Sequence, residues 1–477
     1  MPQNFSEFLS VVVDYAWGLP LVFLLMGGGA ILFIFARMLP IFGFSHAIRL
    51  VSGKFEHIDE DQASGQISHF QALSNALAAT IGLGNIAGVA VAINQGGPGS
   101  IFWMWVAAIV GMNTKFFECT LSLMYRDKDY AGEVQGGPMY VIQNAMPSWC
   151  KPLAYAFAIF GLVGTMALFQ VNQLSSFVEQ SLSVPPLVTG AFCALFVGIV
   201  LKGGIQRLAH ATSSMVPAMC LIYVLASLVI IILNIDKVPV VFTEIFRQAF
   251  SGGALFGGAQ GMAVAAIMKI GIKRAAFSNE AGIGTAPMAH SNAKTSEPIS
   301  EGYVAMLGPF LDTIVVCTMT ALVILTSVDL TTVPDEMEGI LLTNQAFTST
   351  LGTAGSIFLG IAILLFSLTT MLGMANYNQK CWDFIFRGHR AFRRPTFIAA
   401  YSATLLFGSI SAMDDVVNIL DIGFALMAVP NMIATLYLAP KVMRALNDYR
   451  KKYFAPKGLE SESVSRSANE SKLLNIT

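Results

Sequence analysis

Charged residues are scarce in this chain. Only 12% of its 477 residues are Asp, Glu, Lys or Arg, while 55% are hydrophobic and the mean hydropathy is +0.64. A soluble globular domain carries about 25% charged residues. The composition therefore excludes an ordinary soluble protein and indicates a polytopic membrane protein. The formal net charge of −1 says nothing about partners, because the bilayer already sorts the charges. We expect no nucleic-acid partner for a protein of this class.

Residue patterns that carry enzyme chemistry are also missing. The six cysteines are scattered, and no two have the close spacing of a metal or redox pair. Most of them fall in apolar stretches, where a small packing residue is the simpler interpretation. The apolar stretches hold no HExxH motif and no Ser/His pair. The sequence therefore predicts neither an enzyme nor a protein with a resident cofactor.

Long hydrophobic runs, in contrast, are abundant. Eleven apolar stretches approach the length of a bilayer-spanning helix. They centre on residues 18–38, 71–95, 100–125, 153–177, 185–201, 212–234, 253–271, 302–327, 353–379, 395–412 and 416–439. The fold class that we predict is an all-α membrane protein with eleven transmembrane helices.

The basic residues orient these spans. With the N-terminus outside, the outer loops hold only Lys237 and Arg247, whereas nearly all other Lys and Arg residues lie on the cytoplasmic side. The inverse orientation would reverse this bias, which runs against the positive-inside rule. We therefore predict an external N-terminus and a cytoplasmic C-terminus.

The second apolar stretch contains the most informative sequence of the chain. Residues 78–88 read AATIGLGNIAG, so a bilayer-compatible segment is interrupted by Gly82, Gly84 and Asn85. Glycine in a helix interior costs about 1 kcal/mol relative to alanine, so the two glycines favour a local break. Unwound backbone in a membrane is tolerated only where protein or a water-filled cavity surrounds it, and it can bind a cation or an anionic substrate group there. Transport is the function that this pattern favours.

An internal repeat is indicated by a second glycine cluster. Without the first span, ten spans remain. The seventh span (253–271) runs through the membrane in the opposite direction to the second, and it carries a glycine cluster at residues 252–261. Interrupted segments at matching positions of two inverted halves are typical of secondary transporters. The alternative is that these glycines only allow close helix packing. The domains that we predict are an N-terminal helix with its linker (1–69), two five-helix repeats (70–235 and 236–440) and a cytoplasmic tail, disordered after Tyr453 (441–477).

Charged side chains inside the spans mark candidate ion pathways. Asp312 lies within the eighth span, where it either coordinates a cation or pairs with a basic residue. Lys115 and Glu118 are three residues apart on one helix face, and an internal ion pair is the simpler interpretation. Asp421 and Asn431 are weaker candidates with a structural role.

Uncharged polar residues form two further groups. Gln170, in the fourth span, can both donate and accept hydrogen bonds, which suits an amino acid, although its role could be helix packing. Ser367, Thr369 and Thr370 lie in the middle of the ninth span. Their hydroxyls are hard ligands that suit Na⁺, unless they bond back to their own helix. Opposite a broken helix with free carbonyls, a sodium site is the better interpretation.

The stretch 277–298 is too rich in small and polar residues for a span. Its sequence, FSNEAGIGTAPMAHSNAKTSEP, begins near a helix-capping triplet at Ser278 and is punctuated by Pro287 and Pro298. We therefore predict a helical cytoplasmic loop, in which His290 is solvated or caps a helix.

Five motifs in order resemble the alanine/glycine:cation symporter family of prokaryotes. They are NALAATIGLGNIAGVAVAI, GGPGSIFWMWVAAIVGM, EVQGGPMYVI, FSNEAGIGTAPMAH and LDTIVVCTMTALVI, and the resemblance spans about residues 70–440. It implies a leucine-transporter-like fold, with a 5+5 inverted repeat after one extra helix and with the first helix of each repeat broken. It also implies Na⁺-coupled uptake of small neutral amino acids across a bacterial plasma (inner) membrane, with H⁺ coupling less common.

The resemblance also implies a set of site residues. The glycine-rich break would hold the substrate carboxylate and lend carbonyls to sodium, and Gln170 would contact substrate. The substrate-binding residues that we expect are Thr80, Gly82, Gly84, Asn85, Gln170, Gly258, Gln260, Thr370 and Met374. The sodium ligands that we expect are Ile81, Gly84, Ser367, Thr369 and Thr370.

Two positions depart from the family pattern. Many members have an aromatic residue where Met374 stands and an alanine or similar residue where Gln260 stands. A flexible methionine and an extra amide could enlarge or repolarise the pocket, so glutamine, serine or another neutral amino acid is an alternative substrate. A channel would need a continuous selective pore, and no ring of like charges indicates one.

Overall fold

The chain folds almost entirely into helices. The structure is a computed structural model and describes residues 5–55, 65–128, 132–251, 264–334, 337, 339–386 and 390–454. Within these ranges the only strands are β1 (Asp127–Lys128) and β2 (Val134–Gln135), which form one antiparallel pair.

The helices of the first half include the two that flank the predicted break. They are α1 (Phe5–Ala16), α2 (Leu19–Val22), α3 (Gly28–Phe35), α4 (Leu39–Phe42), α5 (Phe44–Val51), α6 (His69–Thr80), α7 (Ala87–Gly96), α8 (Gly99–Met124), α9 (Pro138–Ala145), α10 (Lys151–Gly164), α11 (Leu168–Leu182), α12 (Pro186–Leu201), α13 (Gly204–Leu233) and α14 (Val238–Ser251). A π-helical segment, Phe23–Gly27, joins α2 to α3.

The second half contains the longest helices. They are α15 (Val264–Asn279), α16 (Ala286–His290), α17 (Pro298–Ala305), α18 (Leu307–Pro309), α19 (Thr318–Ser327), α20 (Ile340–Leu351), α21 (Thr353–Ile385), α22 (Arg390–Ile410) and α23 (Met413–Phe454). A π-helical segment, Phe310–Cys317, joins α18 to α19 and contains Asp312.

Several of these helices can cross a bilayer. Among the described residues, six helical stretches are long and apolar enough to span alone: Gly99–Met124, Ser148–Leu182, Arg207–Leu233, Pro298–Ser327, Thr353–Ile385 and Met413–Phe454. Two bent helix pairs raise this number to eight, and α12 is a shorter apolar helix. The chain is a multi-pass membrane protein, while the count of eleven spans and the repeat boundaries stay predictions.

The break in the second predicted span is confirmed. Helix α6 starts at a capping box formed by Ser68 and Gln71, and its last backbone hydrogen bond joins Ile81 N to Leu77 O at 2.7 Å. A single 3₁₀ turn, Leu83–Asn85, follows before α7 begins. The helical segments on the two sides of the break differ in direction by 59°.

The structure shows a second break at a place that the sequence did not indicate. The glycine cluster, residues 252–261, lies outside the described residues, but α15 is continuous up to Asn279. The chain leaves helical geometry at residues 280–285, where Glu280, Gly282 and Gly284 have positive φ. The stretch predicted to be a helical cytoplasmic loop therefore contains the end of a long helix and the second break. Its residues are largely buried because they pack inside the bundle rather than on its surface.

Helix packing brings the two breaks to the centre of the bundle. Helix α6 packs against α13 and α21, α7 packs against α15, and α8 packs along both α15 and α17. The last helix, α23, packs against α10 and continues to Phe454, beyond the predicted end of the second repeat at residue 440. The predicted disordered tail after Tyr453 lies almost wholly outside the described residues.

Candidate functional site

The first break, residues 82–85, leaves backbone groups without partners. Gly82 N donates to Asn85 Oδ1 (3.2 Å) and Asn85 N donates to Gly82 O (3.1 Å). Among the described residues, no donor reaches the carbonyls of residues 78–81, and no acceptor meets the N–H groups of Leu83 and Gly84. Buried backbone groups are nearly always hydrogen-bonded. This cluster of free carbonyls and free amides can therefore bind a cation and an anion side by side.

Thr370 on α21 faces this break. A Cβ atom added at Gly82 would overlap Thr370 Oγ1 and would lie 3.0 Å from Thr370 Cβ. Thr370 is fully buried, and its hydroxyl has no hydrogen-bond partner. Glycine at position 82 is thus required for the close approach of α21. The approach brings an unpaired hydroxyl to the end of α6.

The other two hydroxyls of the predicted sodium set are already bonded. Ser367 Oγ donates to Ile363 O at 2.7 Å. Thr369 Oγ1 donates to Leu365 O at 2.8 Å and also contacts Met219 Sδ at 3.3 Å. Ser367 and Thr369 thus bond back to the backbone of their own helix, which was the alternative to sodium binding in the sequence analysis. Of the three hydroxyls, that of Thr370 is therefore the free ligand.

Asp312 connects the two breaks. Its carboxylate accepts hydrogen bonds from Asn85 Nδ2 (2.5 Å), from Ser278 Oγ (2.6 Å) and from Thr313 Oγ1 (2.8 Å). Asn85 belongs to the first break, and Ser278 lies at the end of α15, just before the second break. Asp312 is fully buried in a π-helical segment, a rare geometry that is frequent at functional sites. No Lys or Arg within the described ranges forms an ion pair with it.

The second break, residues 280–285, is held by side chains of its own. Asn279 Nδ2 donates to Thr313 Oγ1 (3.0 Å), and Thr285 Oγ1 donates to Glu280 Oε2 (2.5 Å). Glu280 is fully buried, and its Oε1 atom has no partner. The polar residues that indicated a solvated loop thus form the interior of the site.

Phe277 joins the second half to the predicted substrate residues. A Cβ atom at Gly84 would lie 3.4 Å from the Phe277 ring, and the rings of Phe277 and Phe169 are 5.3 Å apart between centroids. Gln170 follows Phe169 on α11, which contacts the first break. Gln170 is 4% exposed, and its Oε1 atom has no partner. An unpaired acceptor, an aromatic ring and free backbone amides therefore share one region.

The remaining predicted substrate residues divide into three groups. Thr80 Oγ1 is bonded back to Ala76 O at 3.3 Å. Met374 is buried on α21, one residue after Gly373, whose missing Cβ lets α21 touch the backbone of α6 at Ala79. Gly258 and Gln260 lie outside the described residues.

The neighbours of Gln170 hold helices together. Asn172 Nδ2 donates to Ser411 O (2.8 Å), and Gln173 Oε1 accepts from Ile340 N (3.0 Å). The packing interpretation therefore fits these two residues, while Gln170 has its acceptor free.

Two interpretations of polar or charged residues require correction. Lys115 and Glu118 form no ion pair in the described structure; instead, Glu118 Oε2 accepts from Asn431 Nδ2 at 2.7 Å. Both side chains are buried, but a spacing of three residues on one helix face did not bring them into contact. Asp421 has a structural role, as predicted, because it pairs with Arg274 at 2.5 Å.

The second correction concerns His290, which is buried rather than solvated. Its Nδ1 atom bonds Glu301 Oε1 at 2.5 Å, and His69 bonds the other oxygen of the same carboxylate. Just before α6, Ile67 pairs with Ala293 in an isolated β-bridge. These contacts therefore hold the start of α6 against the segment after α16.

The residues that the sequence interpretation missed are Phe277, Ser278 and Glu280. A signal for them was present, because Gly282-Ile283-Gly284 repeats the G-x-G pattern of Gly82-Leu83-Gly84. In both breaks a polar residue stands close to the glycine pair. A search for this pattern would have located the second break, whereas glycine density alone pointed elsewhere.

The chemistry of the ligands fits an alkali cation better than a transition metal. Within the part of the chain that the structure describes, no cluster of His, Cys, Asp and Glu side chains could hold a metal ion. Carbonyl and hydroxyl oxygens, which the first break and Thr370 supply, are hard ligands. Sodium therefore suits the site.

Comparison with known proteins identifies relatives along the whole chain. The model of the sodium:alanine symporter family matches residues 2–463. The sodium/alanine symporter AgcS of Methanococcus maripaludis is 40% identical over 461 residues, covering 94% of this chain and 99% of AgcS. The probable sodium/glutamine symporter GlnT of Bacillus subtilis is 32% identical, covering 96% of this chain and 93% of GlnT.

Solved structures with the same fold are also transporters. The structure of MhsT in complex with L-phenylalanine matches with a TM-score of 0.54 and 12% identity, covering 80% of this chain and 99% of MhsT. A manganese transporter of Eremococcus coleocola matches with a TM-score of 0.55 and 12% identity, covering 88% and 96% of the two chains. At this identity the similarity shows a leucine-transporter-type fold and leaves the substrate open.

Proposed function

Because this chain belongs to the sodium:alanine symporter family, we propose that it is a sodium-coupled symporter that imports a small neutral amino acid by alternating access. Alanine and glycine are the first candidates for the substrate. We also propose that its N-terminus is external and its C-terminus cytoplasmic, in a bacterial plasma membrane.

The observation that carries this proposal is the unpaired Thr370 hydroxyl beside the free carbonyls of the first break. A buried hydroxyl without a partner costs about 1–3 kcal/mol, and a bound Na⁺ would remove that cost. We assign the sodium site to Thr370 and to backbone carbonyls that include that of Ile81. Gly84, Ser367 and Thr369 complete the predicted set, but the hydroxyls of Ser367 and Thr369 would have to leave their present bonds.

Substrate recognition follows from the groups that remain. The free N–H groups of Leu83 and Gly84 are donors for a carboxylate, close to where α7 begins and where a helix N-terminus favours an anion. The free Gln170 Oε1 is an acceptor for an ammonium group. A zwitterionic amino acid satisfies both. We propose that Phe277 closes the site around the substrate side chain.

Uptake into proteoliposomes tests this function. An inward sodium gradient should drive labelled alanine or glycine above its external concentration, and collapse of the gradient should abolish the accumulation. A channel would only equilibrate the label, and an enzyme would change it chemically. If a proton gradient alone drives the accumulation, the assignment of sodium is wrong and the alternative of H⁺ coupling holds.

The size of the substrate is a separate question. Met374 and Gln260 depart from the family pattern, and the relative GlnT is named a probable sodium/glutamine symporter. Glutamine, serine or another neutral amino acid is therefore the alternative substrate. An uptake screen of the twenty amino acids, with and without sodium, decides between them. In the same screen, Met374→Trp should disfavour bulky substrates and spare glycine and alanine if position 374 lines the pocket.

A further inference from the structure

A large apolar cavity, which shares only Ile81 with the residues of the candidate site, opens on the side of the bundle. Its volume is about 740 Å³, and it lies between α5, α6, α13 and the π-helical segment Phe310–Cys317. We call it the lateral groove. Its wall includes Ile48, Phe70, Ile81, Leu221, Phe310 and Val315.

The lateral groove is too large to be a packing defect. Protein interiors are close-packed, and the few voids that they contain rarely exceed the size of a water molecule. The lining is almost entirely carbon, with Ser52, Ser74 and Cys220 as its only polar side chains. Water does not fill cavities of this kind, whereas apolar molecules do. The lateral groove therefore requires an apolar occupant.

The rim of the lateral groove faces the lipid. Phe70, Ile48 and Leu221 are 42%, 49% and 60% exposed, respectively. Three of the four walls, α6, α13 and the π-helical segment, belong to candidate spanning segments, so this opening meets the acyl chains of the bilayer rather than water. The occupant comes from that side, and an acyl chain is the apolar molecule that the bilayer supplies.

Two positive charges stand at the cytoplasmic end of the lateral groove. Arg49 is one turn from Ser52, whose Oγ donates to Arg49 O at 3.1 Å, and Lys54 follows two residues later. Both side chains are exposed, and neither forms an ion pair with the residues that the structure describes. Juxtamembrane Lys and Arg attract anionic lipids. The charge at the rim thus complements a phospholipid with a net negative headgroup.

Helix α5, which contains Arg49, packs against the end of α23. His46 Nε2 bonds the Tyr449 hydroxyl at 2.8 Å, and the ring packs edge-on against Phe55 and Tyr303. Burial, assisted by the charge of Arg49, lowers the pKa of His46 to about 4. The buried face of α5 is therefore neutral at physiological pH, and its position is fixed by packing. Arg49 therefore belongs to a packed helix, and Lys54 lies three residues after the end of that helix.

We propose that the lateral groove binds one acyl chain of an anionic phospholipid and that Arg49 and Lys54 hold its phosphate. The chain lies along α6 from Phe70 to Ile81, which is the whole half-helix that precedes the first break. A lipid in this place fills the space between α6 and α13 and stabilises α6 in the conformation seen here.

Native mass spectrometry of the full chain tests the proposal. The protein is reconstituted with equal amounts of phosphatidylglycerol and phosphatidylcholine, released in mild detergent, and scored for retained lipid. We expect one phosphatidylglycerol per chain. The double variant Arg49→Gln/Lys54→Gln should lower its occupancy at least tenfold. The matched control Lys128→Gln/Lys151→Gln, which removes two exposed basic residues outside the lateral groove, should retain it.

A second pair of variants tests the position of the acyl chain. Val315→Trp fills the lateral groove and should expel the lipid even though both rim charges remain. If Val315→Trp does not fold, Leu221→Trp at the exposed rim replaces it in the test. This variant should also lower the amount of retained lipid. Equal retention of the two lipids, no retained lipid in the unmodified protein, or unchanged retention in a folded tryptophan variant would each overturn the proposal.

Discussion

The two breaks at the centre of the bundle use glycine in different ways. The first break contains no residue with positive φ; Gly82 is extended, with φ −144° and ψ −153°. Glycine is needed there because Thr370 lies where a Cβ would be. In the second break, Glu280, Gly282 and Gly284 have φ of 56°, 83° and 94°. Glycine is needed there because other residues rarely adopt left-handed backbone.

This difference indicates that the two breaks have different roles. The first break exposes free carbonyls and amides to a neighbouring helix, so it is built to bind ligands. In the second break the backbone turns sharply and its side chains bond to Asp312, Thr313 and Thr285, so it is built to hold a shape. We expect substitutions in the first break to change sodium and substrate dependence, and those in the second to change stability.

The largest effect is expected at Asp312, which joins the two breaks. Asp312→Asn keeps the shape but presents an amide N–H₂ where hydroxyl and amide donors now point. Losing hydrogen bonds to a charged acceptor costs up to about 3 kcal/mol, which is roughly a hundredfold at 1.4 kcal/mol per decade. We expect sodium-driven uptake in proteoliposomes to fall by that order, and the melting temperature in detergent to fall as well because the same bonds join the two breaks.

Asp421→Asn is the matched control for removal of a buried carboxylate. It leaves Arg274, which is 2% exposed, without its partner at 2.5 Å, so thermal stability should fall. If Asp312→Asn is both stable and fully active, Asp312 neither carries a coupling role nor holds the breaks together.

Gly82→Ala tests whether glycine is needed at this position for the close approach of Thr370 or for its backbone conformation. The new methyl group would overlap Thr370 Oγ1 and push α21 away, and overpacking of this kind costs about 1–3 kcal/mol. We expect at least a tenfold rise in the sodium concentration for half-maximal uptake. Gly88→Ala on α7, outside the first break, is the control, because its methyl group meets only Phe277 Cδ1 at 4.0 Å. Equal effects of the two substitutions would mean that contact with Thr370 is not what requires glycine.

Gln170→Ala tests whether substrate recognition belongs to the first break and its neighbours. Removing the free acceptor should weaken substrate binding by about tenfold, since one buried hydrogen bond to a charged group is worth about 1.5–3 kcal/mol. Gln173→Ala is the control; it removes the acceptor of Ile340 N and should lower the melting temperature instead. Wild-type affinity in a folded Gln170→Ala protein would assign this side chain to helix packing.

Gly282→Ala is expected to have the smallest effect on transport. Placing alanine at φ 83° costs about 1–2 kcal/mol, and the methyl group also approaches Leu25 Cδ2 to 2.6 Å. We expect a lower melting temperature in detergent and nearly unchanged sodium dependence. Gly27→Ala, where a Cβ meets nothing within 4 Å, is the control. A shift in sodium dependence at Gly282→Ala would remove the functional distinction between the breaks.

The first break could be predicted because its signal is local. Two glycines and an asparagine interrupt an otherwise apolar segment, and no distant residue is needed to recognise the pattern. The break at residues 280–285 was missed because left-handed backbone at Glu280 and the bonds from Ser278 and Asn279 to the eighth predicted span depend on tertiary contacts. Burial of polar residues such as Glu280 cannot be recognised from composition, which indicated a solvated loop.

The same limit applied to side-chain partners. Their spacing of three residues on one helix suggested that Lys115 pairs with Glu118. Instead, Asn431, more than three hundred residues away in the sequence, donates a hydrogen bond to Glu118. Likewise, the sequence could not rank Ser367, Thr369 and Thr370, because the choice between a helix-internal bond and a free hydroxyl depends on rotamers and on the approach of α6.

The sodium dependence of uptake in Thr370→Val and Thr369→Val proteins tests the central assignment most directly. Both substitutions replace a hydroxyl by a methyl group of the same shape, but only the Thr370 hydroxyl is free and adjacent to the first break. We predict that Thr370→Val raises the sodium concentration for half-maximal uptake at least tenfold, while Thr369→Val changes it less than about threefold, one buried hydroxyl ligand being worth about 1–3 kcal/mol. Unchanged sodium dependence in a folded Thr370→Val protein, or an equal shift in both, would contradict the sodium site at the first break.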